Sequence, residues 1–201
     1  MGLDYSYRLY FPKHLTWTAL QAVVDMAEPQ TPLTRIIFPD RELLIPLQTW
    51  SRNNHMLQYD AAELDFMISV YFDEDEALLD YLHGRGDEPI LRSPPGSEHE
   101  NQISIGYIYL TVYQERPSLP ASDVVCFNFG TTGTRMSLLF DGSVSIRKTF
   151  VGVLERVPGV CGVFNREIEA TLFWWKGQPC SVEIGDPYLL PEEIEVELKR
   201  R

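Results

Sequence analysis

The sequence lacks the long apolar run that a membrane-spanning helix requires. None of its hydrophobic stretches approaches the roughly 18 to 20 residues that cross a bilayer. The first residues also lack the basic and then apolar layout of a signal peptide. We therefore expect a cytoplasmic protein without a membrane partner.

Cysteine and histidine are both scarce, which argues against a metal centre. The three cysteines are odd in number and form no Cys-x-x-Cys motif, so we interpret them as free thiols of the core. The four histidines are scattered, whereas zinc ligands usually come in closely spaced pairs. We predict no metal and no cofactor. Pairing of one cysteine with a distant histidine stays open.

Basic residues are few as well. The chain has 17 lysines and arginines against 29 aspartates and glutamates, which gives a formal net charge of −12. Phosphate backbones repel such a protein, so we expect no nucleic-acid partner. The same charge attracts a basic protein, although it also keeps a tyrosine-rich surface soluble.

Catalytic signatures are missing too. The sequence contains no Gly-x-Ser-x-Gly motif of the serine hydrolases. Its densest acidic run, 73–76, lacks the glycine and the terminal glutamate of an EF-hand loop. Asp73 and Glu76 instead predict a capping box at the start of a helix. We lean towards a protein that is not an enzyme.

What the sequence does contain is a repeated strand–helix junction. Three strands are expected to run into phenylalanine, then proline or aspartate, and then an amphipathic helix, at Phe11-Pro12, Phe72-Asp73 and Phe140-Asp141. The first and third units read strand, helix, strand, strand. This order predicts an α+β fold, with a mostly antiparallel sheet and helices packed on one face. Between one long sheet and a pseudosymmetric pair of units, we favour the pair.

We predict a single compact domain over residues 1–201. Its three units cover about 1–48, 65–114 and 124–175, and a C-terminal extension covers 176–201. Because 44% of the 201 residues are hydrophobic, the chain can bury a full core without disulfides or metals.

An aromatic strand provides the first candidate binding surface. Alternation along the longest strand candidate, 103–113, places three tyrosines on one face, and a tryptophan in another strand can face the same groove. Rings with polar tips suit ligand pockets and protein interfaces, but also a sheet face covered by helices. The predicted ligand- or partner-binding residues are Tyr107, Tyr109, Tyr113 and Trp174.

A turn rich in glycine and threonine provides the second candidate. Residues 127–140 resemble the first phosphate loop of the sugar-kinase and actin-like ATPase superfamily, a strand–turn–strand hairpin. In that family the turn holds phosphate, so the resemblance implies an anion-binding turn, although Asn128 stands where the family has a metal-orienting aspartate. A plain hairpin over 124–140 is the alternative. The turn residues are Gly130, Thr131, Thr132 and Gly133.

Two functions are favoured over an enzyme with no recognisable motif. The first is a non-catalytic interaction protein whose acidic surface binds a basic protein partner, in general character like the bacterial immunity proteins. The second is a small-molecule-binding domain with an aromatic groove between the repeated units. It would be similar to the gyrase-inhibitor-like domains, which hold ligands against an acidic residue. We lean towards the interaction protein, because the charge is measurable whereas the groove is inferred.

Overall fold

An antiparallel sheet of eight strands organises the chain, and the computed structural model describes residues 2–49, 55–84, 99–115 and 123–200 of it. The strands are β1 (Ser6–Pro12), β2 (Thr34–Ile37), β3 (Glu42–Ile45), β4 (Gln48–Thr49), β5 (Met56–Gln58), β6 (Glu63–Asp73), β7 (Gln102–Tyr113), β8 (Val124–Gly130), β9 (Cys161–Asn165), β10 (Ala170–Trp175) and β11 (Gln178–Ile184). The helices are α1 (Thr16–Met26), α2 (Glu76–His83), α3 (Thr134–Gly142), α4 (Val144–Arg156) and α5 (Pro191–Lys199).

The order of strands in the large sheet is β11-β10-β9-β1-β8-β7-β6-β4, while β2, β3 and β5 form a small second sheet. The predicted α+β fold with a mostly antiparallel sheet is therefore confirmed. In the described part of the chain, no helix combines the length and the apolar character that crossing a membrane requires.

Strand β1 lies near the middle of the large sheet and sends its side chains into two cores. Tyr7, Leu9 and Phe11 belong to a larger core that helices α1 to α4 cover. Tyr10 belongs to a smaller core on the opposite face. Residues from Ser6 to Phe11 are all buried, so both faces of the sheet are covered at this strand.

The smaller core is covered by helix α5, which corrects the expectation that the helices pack on one face. Ile194 of α5 lies in the same cluster as Tyr10, Cys126 and Cys161. The predicted C-terminal extension therefore forms strand β11 and a helix that packs back onto the sheet. A strand with apolar residues on both faces needs such a second cover.

The prediction of a third strand–helix junction at Phe140-Asp141 is wrong, and the predicted pseudosymmetry is not supported. Phe140 lies inside helix α3 rather than at a strand end, because the residues around it are buried with helical spacing. The hairpin β2–β3 pairs in the small sheet, whereas the hairpin β9–β10 pairs in the large one. The two units thus occupy different places in the fold.

One carboxylate, that of Asp75, joins the starts of two helices. It accepts hydrogen bonds from the Leu78 N–H of α2 at 2.9 Å, the Ser143 hydroxyl at 2.7 Å and the Ser145 N–H of α4 at 2.9 Å. Burial alone would raise the pKa of Asp75, but these hydrogen bonds outweigh burial and hold that pKa below its ordinary value. The cap is therefore Asp75, whereas the sequence predicted Asp73.

Replacement of Asp75 by alanine should lower the free energy of unfolding by about 1 to 3 kcal/mol, because two helix starts lose an acceptor. Denaturant unfolding measures this loss. Since the folded-state pKa is depressed, the advantage of the native protein over Asp75→Ala is present at neutral pH and disappears as the pH falls through that pKa. Asp73→Ala is the matched control, because within the described structure the exposed Asp73 carboxylate accepts a hydrogen bond only from the Gln102 side chain. Equal losses in the two variants would contradict the role of Asp75.

Candidate functional site

A pocket opens where strand β8 ends, on the sheet face opposite the larger core. Its volume is about 460 Å³, which is within the range of small-molecule sites. Tyr109 and Thr111 of β7 form its floor together with Asn128 and Gly130 of β8. These four residues are neighbours because the strand register pairs Tyr109 with Gly130 and Thr111 with Asn128.

Two chain segments form the walls of the pocket. On one side lie residues 2–4, which precede strand β1, and on the other lies the turn 131–133. The predicted hairpin over 124–140 is wrong, because the chain enters helix α3 directly after Gly133. Residues of α3 are buried at positions 136, 139 and 140, a helical spacing and not the alternation of a strand.

The hydroxyl of Ser137 ties the two walls together. It donates to the Leu3 carbonyl at 2.9 Å and accepts from the Tyr5 N–H at 3.2 Å. It also lies 2.7 Å from the Thr131 hydroxyl. Ser137 is fully buried, so its hydrogen bonds are shielded from water. The position of the N-terminal wall therefore depends on the first turn of α3.

Asp4 gives the pocket a negative rim, and two further carboxylates lie beside lining residues. The backbone N–H of Asp4 donates to the Glu167 carboxylate at 2.6 Å, so two carboxylates lie close together. Burial first, and the charge of Glu167 second, raise the pKa of Asp4. Asp65 accepts from the Thr111 hydroxyl at 2.8 Å. Among the described residues that line the pocket there is no lysine or arginine to balance these charges.

Glu167 reaches this rim from an unusual backbone conformation. Its φ is +72°, a left-handed value that residues other than glycine seldom adopt. The Glu167 N–H donates to the Asn165 side chain at 2.7 Å, which holds this turn between β9 and β10. The turn thereby carries the carboxylate back to the start of β1.

The structure brings together five of the eight predicted site residues. Tyr109 lines the pocket with all four residues of the glycine–threonine turn. Tyr107 lies further along the same strand face and is 47% exposed, outside the described lining. Tyr113 is half-buried against the smaller core. The anion-binding role of the turn stays a prediction.

Trp174 lies apart from the other predicted site residues and outside the described lining of the pocket. It is 3% exposed in the larger core, where its indole N–H donates to the Gly159 carbonyl at 3.2 Å. A register shift between Leu172 and Trp174 changes the face to which the strand sends its side chains. Alternation counted from the sequence could not detect this bulge.

Five of the described pocket residues were not predicted as site residues: Gly2, Leu3, Asp4, Thr111 and Asn128. Thr111 shares a strand face with Tyr109, so alternation could have identified it. Asn128 stands two residues before the glycine–threonine turn, so it could have been predicted as a site residue together with that turn. Asp4 is held at the pocket because its neighbours Leu3 and Tyr5 donate hydrogen bonds to residues more than 130 positions away, which no local pattern records.

The cysteines lie in or against the smaller core. Cys126 and Cys161 are buried and Cys180 is half-buried, and all three are free thiols. Burial raises the pKa of Cys161 well above its ordinary value, so that thiol stays protonated. Within the described segments, no group of three histidine, cysteine, aspartate or glutamate side chains is placed to hold a metal ion.

Ser137→Ala should loosen the N-terminal wall of the pocket. It leaves the Leu3 carbonyl and the Tyr5 N–H without their partner, so we expect a loss of about 1 to 3 kcal/mol in unfolding free energy. Hydrogen exchange measured by mass spectrometry should show faster exchange in the first strand. Thr132→Ala is the control on the same turn, because the exposed Thr132 hydroxyl contacts the Met136 sulfur at a long 3.6 Å. Unchanged exchange in Ser137→Ala would refute the linkage.

No family model, curated protein or solved structure matches the chain. The function of the pocket is therefore inferred from the residues that form it.

Proposed function

We propose that the protein binds a small organic amine in the pocket between residues 2–4 and the turn 131–133. The observation that carries this proposal is the Asp4 carboxylate, which lines the same pocket as the Tyr109 ring. A carboxylate and an aromatic ring together favour a cation, through an ion pair and through the negative face of the ring.

The electrostatics of the pocket support a cationic ligand. Burial and the nearby charge of Glu167 raise the pKa of Asp4. The two ionised carboxylates therefore lack a compensating positive charge among the described lining residues. A bound ammonium group would supply the missing positive charge. The net charge of −12 also concentrates cations at the surface and disfavours phosphate-bearing ligands.

The opposite wall indicates what else the ligand carries. Helix α3 starts at Thr134, its N-cap is Gly133, which has no side chain, and the positive end of the helix dipole lies there. The Asn128 amide and the Thr111 hydroxyl add groups that both donate and accept hydrogen bonds. An amine that also bears a hydroxyl or carbonyl oxygen therefore fits better than a purely apolar cation.

Binding of tyramine, compared with its uncharged analogue 4-(2-hydroxyethyl)phenol, tests the proposal. We expect tyramine to shift the amide NMR signals of residues 2–4 and 130–133, and the analogue to shift them at least about tenfold more weakly, because it cannot pair with Asp4. Tyramine binding should weaken as the pH falls through the raised pKa of Asp4, where the carboxyl becomes neutral. Equal binding of the two compounds would refute the proposal.

Two variants separate binding from folding. Asp4→Asn should abolish tyramine binding while the melting temperature stays the same or rises, because the unfavourable ionisation of Asp4 beside Glu167 is removed. Gly130→Val should fill the pocket, and its Cβ would lie 3.9 Å from the nearest atoms, an ordinary contact. Asp60→Asn, which removes an exposed charge elsewhere, is the control. Tyramine binding that survives Asp4→Asn would contradict the assigned site.

A further inference from the structure

The small sheet of β2, β3 and β5 carries a large share of the exposed apolar surface. Among the described residues, four of the ten exposed large hydrophobic side chains lie in this sheet or directly before it. A single exposed apolar side chain needs no explanation, whereas a cluster of them marks an interaction surface. The four side chains, which are 38% to 56% exposed, are Leu33, Leu43, Leu44 and Met56.

The two leucines of β3 point to opposite faces of this sheet. The strand register pairs Leu44 with Arg35 and Arg35 with Met56, so these three side chains share the outer face. Leu43 pairs with the buried Ile36 on the inner face. It is nevertheless 38% exposed, because β3 is the edge strand of this sheet in the described structure. A helix or a ligand resting on one face would cover only one of the two leucines.

Strand β3 also has open backbone groups along its outer edge. In the neighbouring strand, the Arg35 N–H donates to the His55 carbonyl at 2.8 Å, so the backbone groups of Arg35 point towards β5 and away from β3. Pairs in an antiparallel ladder alternate between bonded and non-bonded ones. The N–H and carbonyl groups of Leu44, opposite Arg35, and of Glu42 therefore point away from β2. Within the described structure these groups have no backbone partner.

The small sheet carries no net charge, although the protein as a whole carries −12. Arg35 and Glu42 pair on the outer face at 3.3 Å. Two copies of so acidic a chain repel each other, and the repulsion is weakest at a face without net charge. The charged residues of strands β2, β3 and β5 and of the turn 38–41 are two arginines and two carboxylates, namely Arg35, Arg41, Asp40 and Glu42.

We propose that two copies of this chain pair through β3, edge to edge and antiparallel, about a two-fold axis. The pairing joins the two small sheets into one, covers Leu43 and Leu44 on their opposite faces, and satisfies the open backbone groups. A second copy is the occupant because it presents the same two leucines on the same neutral edge. Such an isologous contact closes on itself and gives a dimer. No residue of β3 lines the amine pocket in the described structure, so this inference is independent of the proposed function.

One register satisfies the outward groups of both copies. It places Glu42 opposite Leu44 of the second copy, so that these two residues exchange backbone hydrogen bonds, and Leu43 opposite its own counterpart. A shift by two residues in one direction would set Glu42 against Glu42, where like charges repel. A shift in the other direction would set Glu42 against Pro46, which has no N–H to donate.

Sedimentation velocity of the intact protein, from about 1 to about 300 µM, tests the dimer. We expect a reversible monomer–dimer equilibrium that Leu44→Lys weakens at least about tenfold, because a lysine on an edge strand opposes pairing. Leu138→Lys is the matched control, since Leu138 on helix α3 is also 56% exposed, and it should leave dimerisation unchanged, as should Asp4→Asn. A monomer at every concentration, an open-ended assembly, or equal weakening by the two lysine variants would overturn the proposal.

Cysteine cross-linking tests the register. The Cα atoms of a non-hydrogen-bonded pair lie about 4.5 Å apart, within the range that a disulfide spans. Leu43→Cys should therefore give a disulfide-linked dimer on oxidation, measured against the native protein with its three free thiols. Glu42→Cys, also at an exposed side chain, should cross-link at least about tenfold more slowly, because its counterpart lies diagonally across at about 7 to 8 Å. Equal cross-linking rates in the two variants would refute the pairing.

Discussion

The alternation of side chains along strand β1 is the constraint on which the other parts of the structure depend. Tyr7, Leu9 and Phe11 on one face require helices α1 to α4 to cover them, and the Tyr7 ring packs against Phe150 and Phe164 at centroid distances of 4.6 and 4.7 Å. Burial of this ring raises the pKa of Tyr7 to about 12, and its hydroxyl donates to the Phe140 carbonyl. A single central strand thus fixes where the long helices lie.

The other face of β1 creates a different requirement, because it buries a charge. Arg8 is 1% exposed, and the described groups that act on its charge are Cys126, Tyr10 and Tyr188 rather than a carboxylate. A buried guanidinium is costly unless other groups replace its water. The Pro187 carbonyl and the Tyr188 ring do so for part of the guanidinium, and the Cys126 sulfur lies 3.9 Å away, whereas the buried Arg8 Nε has no hydrogen-bond partner in the described structure. The path of the C-terminal segment, and with it the position of helix α5, therefore follows from one residue of the first strand.

Much of the fold could be predicted where the local pattern and the tertiary structure agree. The strand preceding Phe11, the junction at Phe72 and the hairpin of β2 and β3 are all present, because alternation and turn residues specify them directly. The junction at Phe140 failed because a strand and a helix can share a short apolar run, and here burial at Met136, Leu139 and Phe140 selects the helix.

The candidate site was predictable only in part, for reasons of the same kind. Gly130 to Gly133 and Tyr109 were found because turns and strand faces are local features. Asp4 and Glu167 were not, because their proximity depends on the pairing of β1 with β9 and on a left-handed residue in the turn after it. Trp174 was misplaced because a bulge, which sequence alternation does not reveal, reverses its direction.

The distribution of charge relates the proposed amine pocket to the stability of the protein. An excess of negative charge opposes folding through self-repulsion, and that cost is largest where carboxylates lie close together or lose water. Glu195 avoids it by pairing with two lysines, and Asp75 avoids it by accepting hydrogen bonds at two helix starts. Asp4 beside Glu167 lacks comparable compensation within the described structure.

Uncompensated charge of this kind is retained at a cost to the folded state. A cation that binds there stabilises the folded protein by mass action, since the unfolded chain does not assemble the pocket. The proposed amine would occupy the pocket at the end of β8, between residues 2–4 and the turn 131–133.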